Sequence, residues 1–223
     1  MSILGIIPIG GNASRMSGIP KFLLPSPSGN TLLDNTISHF HKNNIFNIAS
    51  GVSEINNLIL KNNKDIQRLV VDTKTMSDTV VQILSNFGSP QIKKNILIMP
   101  DTYINIENQL GKMVKLLDKY KIAVLLWNIQ DYQIGKVGQC NILDNEVVDT
   151  IDKDPTCNYK HLWGVIGWTS DMNTLIDPSW STIGELLRKA NELNIKIGSI
   201  VVDDLYYDCG TYFEYFNMIK KLG

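Results

Sequence analysis

The chain has 223 residues and nearly balanced charge, with 21 Lys and Arg residues against 22 Asp and Glu residues. Hydrophobic residues make up 43% and charged residues 19% of the sequence, a composition that excludes disordered chains and broad nucleic-acid-binding surfaces. No apolar run reaches the roughly 18 uncharged residues that a membrane helix needs, and the N-terminus lacks the pattern of a signal peptide. We therefore expect one cytoplasmic domain over residues 1–223, with no nucleic-acid or membrane partner.

Apolar runs with strand character alternate with helical periodicities along the chain. The first four apolar runs are continuous rather than alternating, which indicates burial on both faces by helices, while the second half is denser in strands. We predict an α/β domain with a mixed, mostly parallel central sheet flanked by helices. In chain order, strands are predicted at 3–9, 47–52, 68–72, 95–100, 122–127, 137–143, 146–151, 163–168 and 197–202. Helices are predicted near 31–43, 54–63, 77–86, 105–119, 181–193 and 211–221.

The cysteines and histidines do not form a recognisable catalytic or metal site. Cys140, Cys157 and Cys209 are odd in number and lack the CxxC spacing of a zinc site. The three histidines are scattered along the chain. Any chemistry must therefore come from other residue types.

A Gly-rich turn, GGNASR, directly follows the first predicted strand. Glycine lets backbone N–H groups approach phosphate oxygens, although neither the GxGxxG nor the P-loop spacing is present. Arg15 and Lys21 flank a bend at Gly18 and Pro20, so both cations can face one polyphosphate. The alternative is a surface loop with ordinary solvated charges.

Two aspartates stand at positions where they add nothing to packing. Asp101 ends the strand NILIMP, and Asp208 lies in YYDCGT just before a predicted helix. Such carboxylates can hold Mg²⁺ together with substrate phosphates. They can equally form turns or cap helices.

Together these segments, in this order, resemble the sugar-phosphate nucleotidylyltransferases, also called sugar-nucleotide pyrophosphorylases, over nearly the whole chain. The resemblance implies a single Rossmann-like, glycosyltransferase-A-like nucleotidyltransferase domain. It further implies Mg²⁺-dependent transfer of a nucleoside monophosphate from a nucleoside triphosphate to a sugar-1-phosphate, releasing pyrophosphate and forming an NDP-sugar. The partners would be a nucleoside triphosphate and a small phosphate-bearing acceptor, and self-association into a homo-oligomer is left open.

The resemblance also implies roles for individual residues. Arg15 and Lys21 would be the catalytic cations, and Asp101 and Asp208 would hold Mg²⁺. The predicted nucleotide-binding residues are Gly10, Gly11, Asn12, Ala13, Ser14, Ser77 and Asp101. The predicted acceptor-binding residues are Gly138, Lys153 and Gly164, although glycine within a strand can also mark a bulge or close backbone packing.

One departure from the family pattern concerns the acceptor. The family places Lys directly before Pro, whereas here Asp154 precedes Pro155 and Lys153 comes one residue earlier. In a strand this shift turns a side chain to the opposite face. It motivates a second hypothesis, a CTP-dependent cytidylyltransferase acting on a non-sugar phosphate monoester. A third hypothesis is a nucleotide-binding protein without turnover.

Overall fold

The computed structural model describes residues 2–10 and 18–223. All the predicted strands and helices are present, and two short strands, at Thr102–Ile104 and Tyr206–Asp208, occur in addition. The strands are β1 (Ser2–Ile6), β2 (Ile48–Val52), β3 (Gln67–Val70), β4 (Ile92–Ile98), β5 (Thr102–Ile104), β6 (Ile122–Asn128), β7 (Gly138–Leu143), β8 (Glu146–Asp152), β9 (His161–Thr169), β10 (Ile197–Val201) and β11 (Tyr206–Asp208). The helices are α1 (Leu32–Lys42), α2 (Glu54–Ile59), α3 (Met76–Phe87), α4 (Gln109–Leu116), α5 (Glu185–Glu192) and α6 (Tyr212–Leu222).

A nine-stranded sheet forms the centre of the described chain, in the order β3-β2-β1-β4-β9-β6-β10-β8-β7. Parallel pairs join β3 to β2, β2 to β1, β1 to β4 and β6 to β10. Strand β9 runs antiparallel between β4 and β6, and the β7–β8 hairpin adds further antiparallel pairs with β9 and β10. The sheet is mixed, as predicted, but the prediction that it is mostly parallel is not confirmed, because β9 and the hairpin reverse direction.

The two faces of the sheet are covered by different helices, which explains the continuous apolar strands. In β6, alternate side chains enter opposite cores: Leu125 packs in the core that contains α1 and α4 residues, and Val124 in the core that contains α3 and α5 residues. Both side chains are fully buried. Because each face must exclude water, both sets of positions along the strand are apolar.

Helix α1 begins with a capping box at Thr31, at the start of the predicted helix. The Thr31 hydroxyl accepts a hydrogen bond from the Asp34 backbone N–H at 3.1 Å, and the Asp34 carboxylate accepts one from the Thr31 N–H at 3.0 Å. These two bonds satisfy donors that a helix start otherwise leaves unpaired. None of the helices in the described ranges has both the length and the apolar character to cross a membrane.

Candidate active site

The carboxyl ends of several strands meet at one edge of the sheet. Strand β9 is antiparallel to both β4 and β6, so β1, β2, β4, β6 and β10 all run in the same direction. The chain leaves β1 toward β2 on one side and later forms β4 on the other side. Ligands of open α/β sheets bind at such a switch point, outside the carboxyl ends of the strands. Gly10 follows β1, and Asp101 follows β4, so both lie at this edge.

A separate two-stranded sheet brings the two predicted metal-binding aspartates together. Strands β5 and β11 pair antiparallel with Asp208 opposite Thr102. The Cys209 N–H then donates to the Asp101 carbonyl at 2.9 Å, extending the pairing by one step. Asp101 and Asp208, far apart in sequence, are therefore held next to each other by backbone hydrogen bonds.

Lys21 reaches the same place from the N-terminal part of the chain. It begins a single 3-10 turn, Lys21–Leu23, directly after Pro20, whose φ of −63° suits the start of such a turn. The Lys21 Nζ donates to Asp101 Oδ2 at 3.2 Å. The Lys21 and Asp101 side chains are only 18% and 21% exposed, so the ion pair is partly shielded from water.

Three carboxylates, those of Asp101, Asp208 and Glu214, lie near one another at this site. Burial raises the pKa of Asp208 above the ordinary range of an aspartate, and the neighbouring carboxylates of Asp101 and Glu214 raise it further. The Gly210 N–H donates to Asp208 Oδ1 at 2.8 Å and opposes this shift. Glu214 is buried and accepts a hydrogen bond from the Thr211 hydroxyl at 2.8 Å. The arrangement favours a positively charged ligand near Asp101 and Asp208.

A cleft of about 250 Å³ opens beside Asp101; we call it the Gly10 cleft. Its wall includes Gly10, Lys21 and Asp101, which the sequence predicted as site residues. Gly10 lies against Thr73 and Thr79, whose hydroxyls are 2.5 Å apart. The cleft is large enough for part of a nucleotide, and its described wall combines backbone, hydroxyl and ammonium groups.

Sequence reasoning missed part of this wall. Thr73, Lys74 and Thr75 line the cleft between the end of β3 and the start of α3. Thr75 is the N-cap of α3, since its hydroxyl accepts from the Asp78 N–H at 3.0 Å. The polar run that follows the apolar residues of β3 was the available signal.

Ser77, predicted to bind nucleotide, lies in the first turn of α3 and is fully buried. Its hydroxyl has no hydrogen-bond partner among the described residues. It does not line the described wall of the Gly10 cleft, which the same helix meets through Met76 and Thr79. Its role in nucleotide binding stays a prediction.

The predicted acceptor residues lie apart from the Gly10 cleft in the described structure. A Cβ at Gly138 would lie 2.0 Å from Trp163 Nε1, so this glycine makes room for an indole ring. A Cβ at Gly164 would lie 2.6 Å from the Tyr206 ring and 2.7 Å from the Trp127 ring. Both glycines permit close aromatic packing.

Lys153, the third predicted acceptor residue, follows the last residue of β8 in a left-handed backbone conformation, with φ of +53°. Its N–H donates to the Val137 carbonyl at 3.1 Å. Its Nζ lies 3.8 Å from a carboxylate oxygen of Asp152, and its side chain is half exposed. The side chain thus pairs with its own neighbour, and its contact with an acceptor stays a prediction.

The remaining predicted residues, Arg15 and the 11–14 segment, lie outside the described residues. The predicted nucleotide-binding residues of that segment are Gly11, Asn12, Ala13 and Ser14. Within residues 2–10 and 18–223, no group of three or more His, Cys, Asp or Glu side chains is arranged to hold a metal ion. A cation at this site would therefore depend on the pair of Asp101 and Asp208, completed by other ligands.

No protein-family model matches this chain, and no curated protein matches its sequence. Solved structures do match over nearly the whole chain. A Bacillus anthracis protein assigned as a glucose-1-phosphate thymidylyltransferase, in complex with a sucrose, matches with a TM-score of 0.84 and 16% identity, covering 99% of this chain and 95% of that chain.

Two further structures give the same result. A UDP-glucose pyrophosphorylase complexed with UDP-glucose matches with a TM-score of 0.79 and 16% identity, covering 99% of this chain and 98% of that chain. The UTP-bound UGPase of Acinetobacter baumannii matches with a TM-score of 0.78 and 12% identity, covering 100% and 94%. At these identities the likeness is one of fold. The structural neighbours are sugar-phosphate nucleotidylyltransferases, the class that the sequence motifs resemble.

Proposed function

We propose that this chain is a nucleotidyltransferase that transfers a nucleoside monophosphate from a nucleoside triphosphate to a sugar-1-phosphate and releases pyrophosphate. The observation that supports this most is the meeting of Lys21, Asp101 and Asp208 beside a cleft that begins at Gly10. The fold neighbours, a glucose-1-phosphate thymidylyltransferase and UDP-glucose pyrophosphorylases, support a sugar phosphate as acceptor.

In this reaction an oxygen of the acceptor phosphate forms a bond to the α-phosphorus of the nucleoside triphosphate. The bond from that phosphorus to the oxygen that bridges to the β-phosphate breaks, and pyrophosphate leaves with the bonding electron pair. The attacking phosphate is already ionised near neutral pH, so no general base is needed. Catalysis then depends on positioning and charge stabilisation, which a cleft with convergent charged groups can supply.

Lys21 is the described cation best placed for this role. Its ammonium group stands at the wall of the Gly10 cleft and beside Asp101. A compact charge at that point can stabilise negative charge that develops on the leaving pyrophosphate. Arg15 is proposed as a second cation in the same role, from the sequence resemblance.

Asp101 and Asp208 form a donor set that fits Mg²⁺. Both offer hard carboxylate oxygens, and the pKa of Asp208 is raised first by burial and then by the nearby negative charge of Asp101. Mg²⁺ is commonly bound by one or two carboxylates together with waters and substrate phosphates, so a third protein ligand is not required. When bound, the ion would neutralise charge on the phosphates. The task of the protein is to hold the two carboxylates adjacent, which the β5–β11 pairing does.

A pyrophosphate-release assay tests the proposal. The purified chain is incubated with Mg²⁺, each common nucleoside triphosphate, and a panel of sugar-1-phosphates and non-sugar phosphate monoesters. We expect release that needs both substrates and stops when the metal is chelated. Release only with CTP and a non-sugar phosphate would identify the cytidylyltransferase instead. No release with any pair, while a nucleotide still binds, would refute the enzyme and favour a nucleotide-binding protein.

A further inference from the structure

A second cleft, of about 380 Å³, opens where the carboxyl ends of β6 and β10 meet β11. The two strands are held side by side by their parallel register and by the Val202 N–H, which donates to the Leu126 carbonyl at 2.8 Å. We call it the aromatic cleft. Its lining residues include four aromatic residues and two aspartates, namely Trp127, Tyr132, Tyr206, Tyr207, Asp203 and Asp204, of which Trp127 and Tyr207 are buried.

The aromatic cleft adjoins the pair of candidate metal ligands. Tyr206 and Tyr207 directly precede Asp208 in β11. Because side chains alternate along a strand, the Tyr206 side chain lies on the same face of β11 as the Asp208 carboxylate. A ligand phosphate near Asp208 could therefore place the rest of its molecule in this cleft.

The aromatic wall is built into the fold. The Trp127 and Tyr206 rings lie 5.2 Å apart, tilted by 47°. Gly164 of β9 lies against both rings, and a Cβ at that position would collide with them. The Trp127 indole N–H is buried and has no hydrogen-bond partner among the described residues. The predicted acceptor residue Gly164 thus supports this wall from behind.

The charge of the cleft favours a cation. Asp204 is held in place, since its carboxylate accepts hydrogen bonds from the Asn105 side chain at 2.8 Å and from the Leu205 N–H at 2.7 Å. Asp203 is exposed at the cleft. The basic side chain of the described lining is Lys221, whose Nζ lies 5.9 Å from the centre of the Tyr207 ring. An aromatic face here thus already lies near an ammonium group, an arrangement that cation–π attraction stabilises.

We propose that the aromatic cleft is the acceptor subsite and that it takes a phosphate monoester whose organic part carries an ammonium group. This rests on the proposed nucleotidyl transfer and names the acceptor class for it. The acceptor phosphate lies toward Asp208 and Lys21, and the ammonium group lies among the aromatic rings beside Asp203. An aminosugar phosphate and an amino-alcohol phosphate share this chemistry.

Calorimetric titration of the full chain with matched ligands tests the inference. Glucosamine-1-phosphate is compared with glucose-1-phosphate, and phosphoethanolamine with ethyl phosphate, at low salt and with Mg²⁺ present. We expect the amine-bearing member of at least one pair to bind about 5- to 10-fold more tightly, the range of a partly shielded cation–π and carboxylate contact. The pair that shows the preference identifies whether the acceptor is an aminosugar phosphate or an amino-alcohol phosphate. Equal affinities within both pairs would overturn the inference.

Variants show whether the preference comes from this cleft. Asp203→Asn removes one charge from an exposed side chain, so the fold should persist, and we expect the amine preference to fall below about 2-fold while neutral ligands bind as before. Tyr132→Leu removes one ring and should weaken the same preference. The matched control is Asp65→Asn, an exposed aspartate outside the cleft. An unchanged preference in Asp203→Asn would contradict the assignment.

The proposed reaction and the acceptor subsite can fail separately. If the amine-bearing ligands bind more tightly through Asp203 but pyrophosphate is never released, the subsite stands and the nucleotidyl transfer is wrong. If neutral sugar phosphates support release as well as amine-bearing ones, and Asp203→Asn changes neither rate, the reaction stands and the subsite is wrong.

Discussion

Replacing Lys21 with alanine removes the described cation that the structure places between the Gly10 cleft and Asp101. The Nζ lies 3.2 Å from Asp101 Oδ2, and the two side chains are 18% and 21% exposed. The substitution leaves the backbone turn intact and deletes only the ammonium group and its stem. We expect it to lower turnover strongly with a smaller effect on nucleotide binding.

The expected loss of turnover in Lys21→Ala follows from the position of the Lys21 ammonium group. Charge contacts in a partly water-excluded site are stronger than in bulk water, and losing one that acts on transition-state charge costs about 3 kcal/mol. Since about 1.36 kcal/mol corresponds to a tenfold change in rate, kcat should fall on the order of 100-fold or more. The effect on folding should be much smaller, about 1 kcal/mol or less, because an ion pair that is still partly exposed adds little to the free energy of folding.

Steady-state pyrophosphate release measures kcat and KM, and thermal unfolding checks that the variant is folded. Lys64→Ala, which removes an exposed lysine outside the Gly10 cleft, is the matched control and should behave as the parent chain. Lys21→Arg keeps the positive charge and should retain more activity than Lys21→Ala. A folded Lys21→Ala variant with near-parental kcat would refute the role of Lys21 in stabilising the transition state.

Three further predictions concern the metal, the packing and the pH dependence. Asp101→Asn should raise the Mg²⁺ concentration needed for half-maximal pyrophosphate release, and an unchanged Mg²⁺ titration would count against its role as a ligand. Gly138→Ala should lower the free energy of unfolding in urea by about 1–3 kcal/mol, since the added Cβ meets Trp163; no change would show that the ring has room to move. His39 is buried; its Nε2 forms a hydrogen bond with the Ile104 carbonyl at 2.9 Å, and its Nδ1 has no partner among the described residues. Burial lowers the pKa of His39, so the unfolded chain binds the proton more readily than the folded chain. The free energy of unfolding should therefore decrease as pH falls below about 6.5, and it should decrease less steeply in His39→Gln.

Much of the architecture was predictable because it depends on local pattern. The continuous apolar runs predict strands covered on both faces, and Leu4 and Ile9, from the first run, pack in opposite cores. The start of α1 near residue 31 was predictable, because the capping box that Thr31 and Asp34 form is a contact between near neighbours in the chain. Asp101 and Asp208 could be selected because acidic residues after apolar runs serve no packing role.

The meeting of these residues depends on tertiary structure. Strands β5 and β11 are only three residues long each, too short for a periodic signal, and their pairing joins segments from different parts of the chain. The antiparallel pairing of β9 with both β4 and β6 likewise joins strands that are distant in the chain. It places the carboxyl ends of β4 and β6 at the same edge of the sheet.

The glycines also show the difference between what the local sequence indicates and what tertiary structure decides. The resemblance implies that Gly138 and Gly164 contact an acceptor, which stays a prediction; the structure shows that both glycines make room for aromatic rings from β6, β9 and β11. Residue type and local order therefore determined the strands, the helix starts and the candidate charges. Long-range strand pairing and side-chain packing, which depend on contacts between segments distant in the chain, decided which charges share a site.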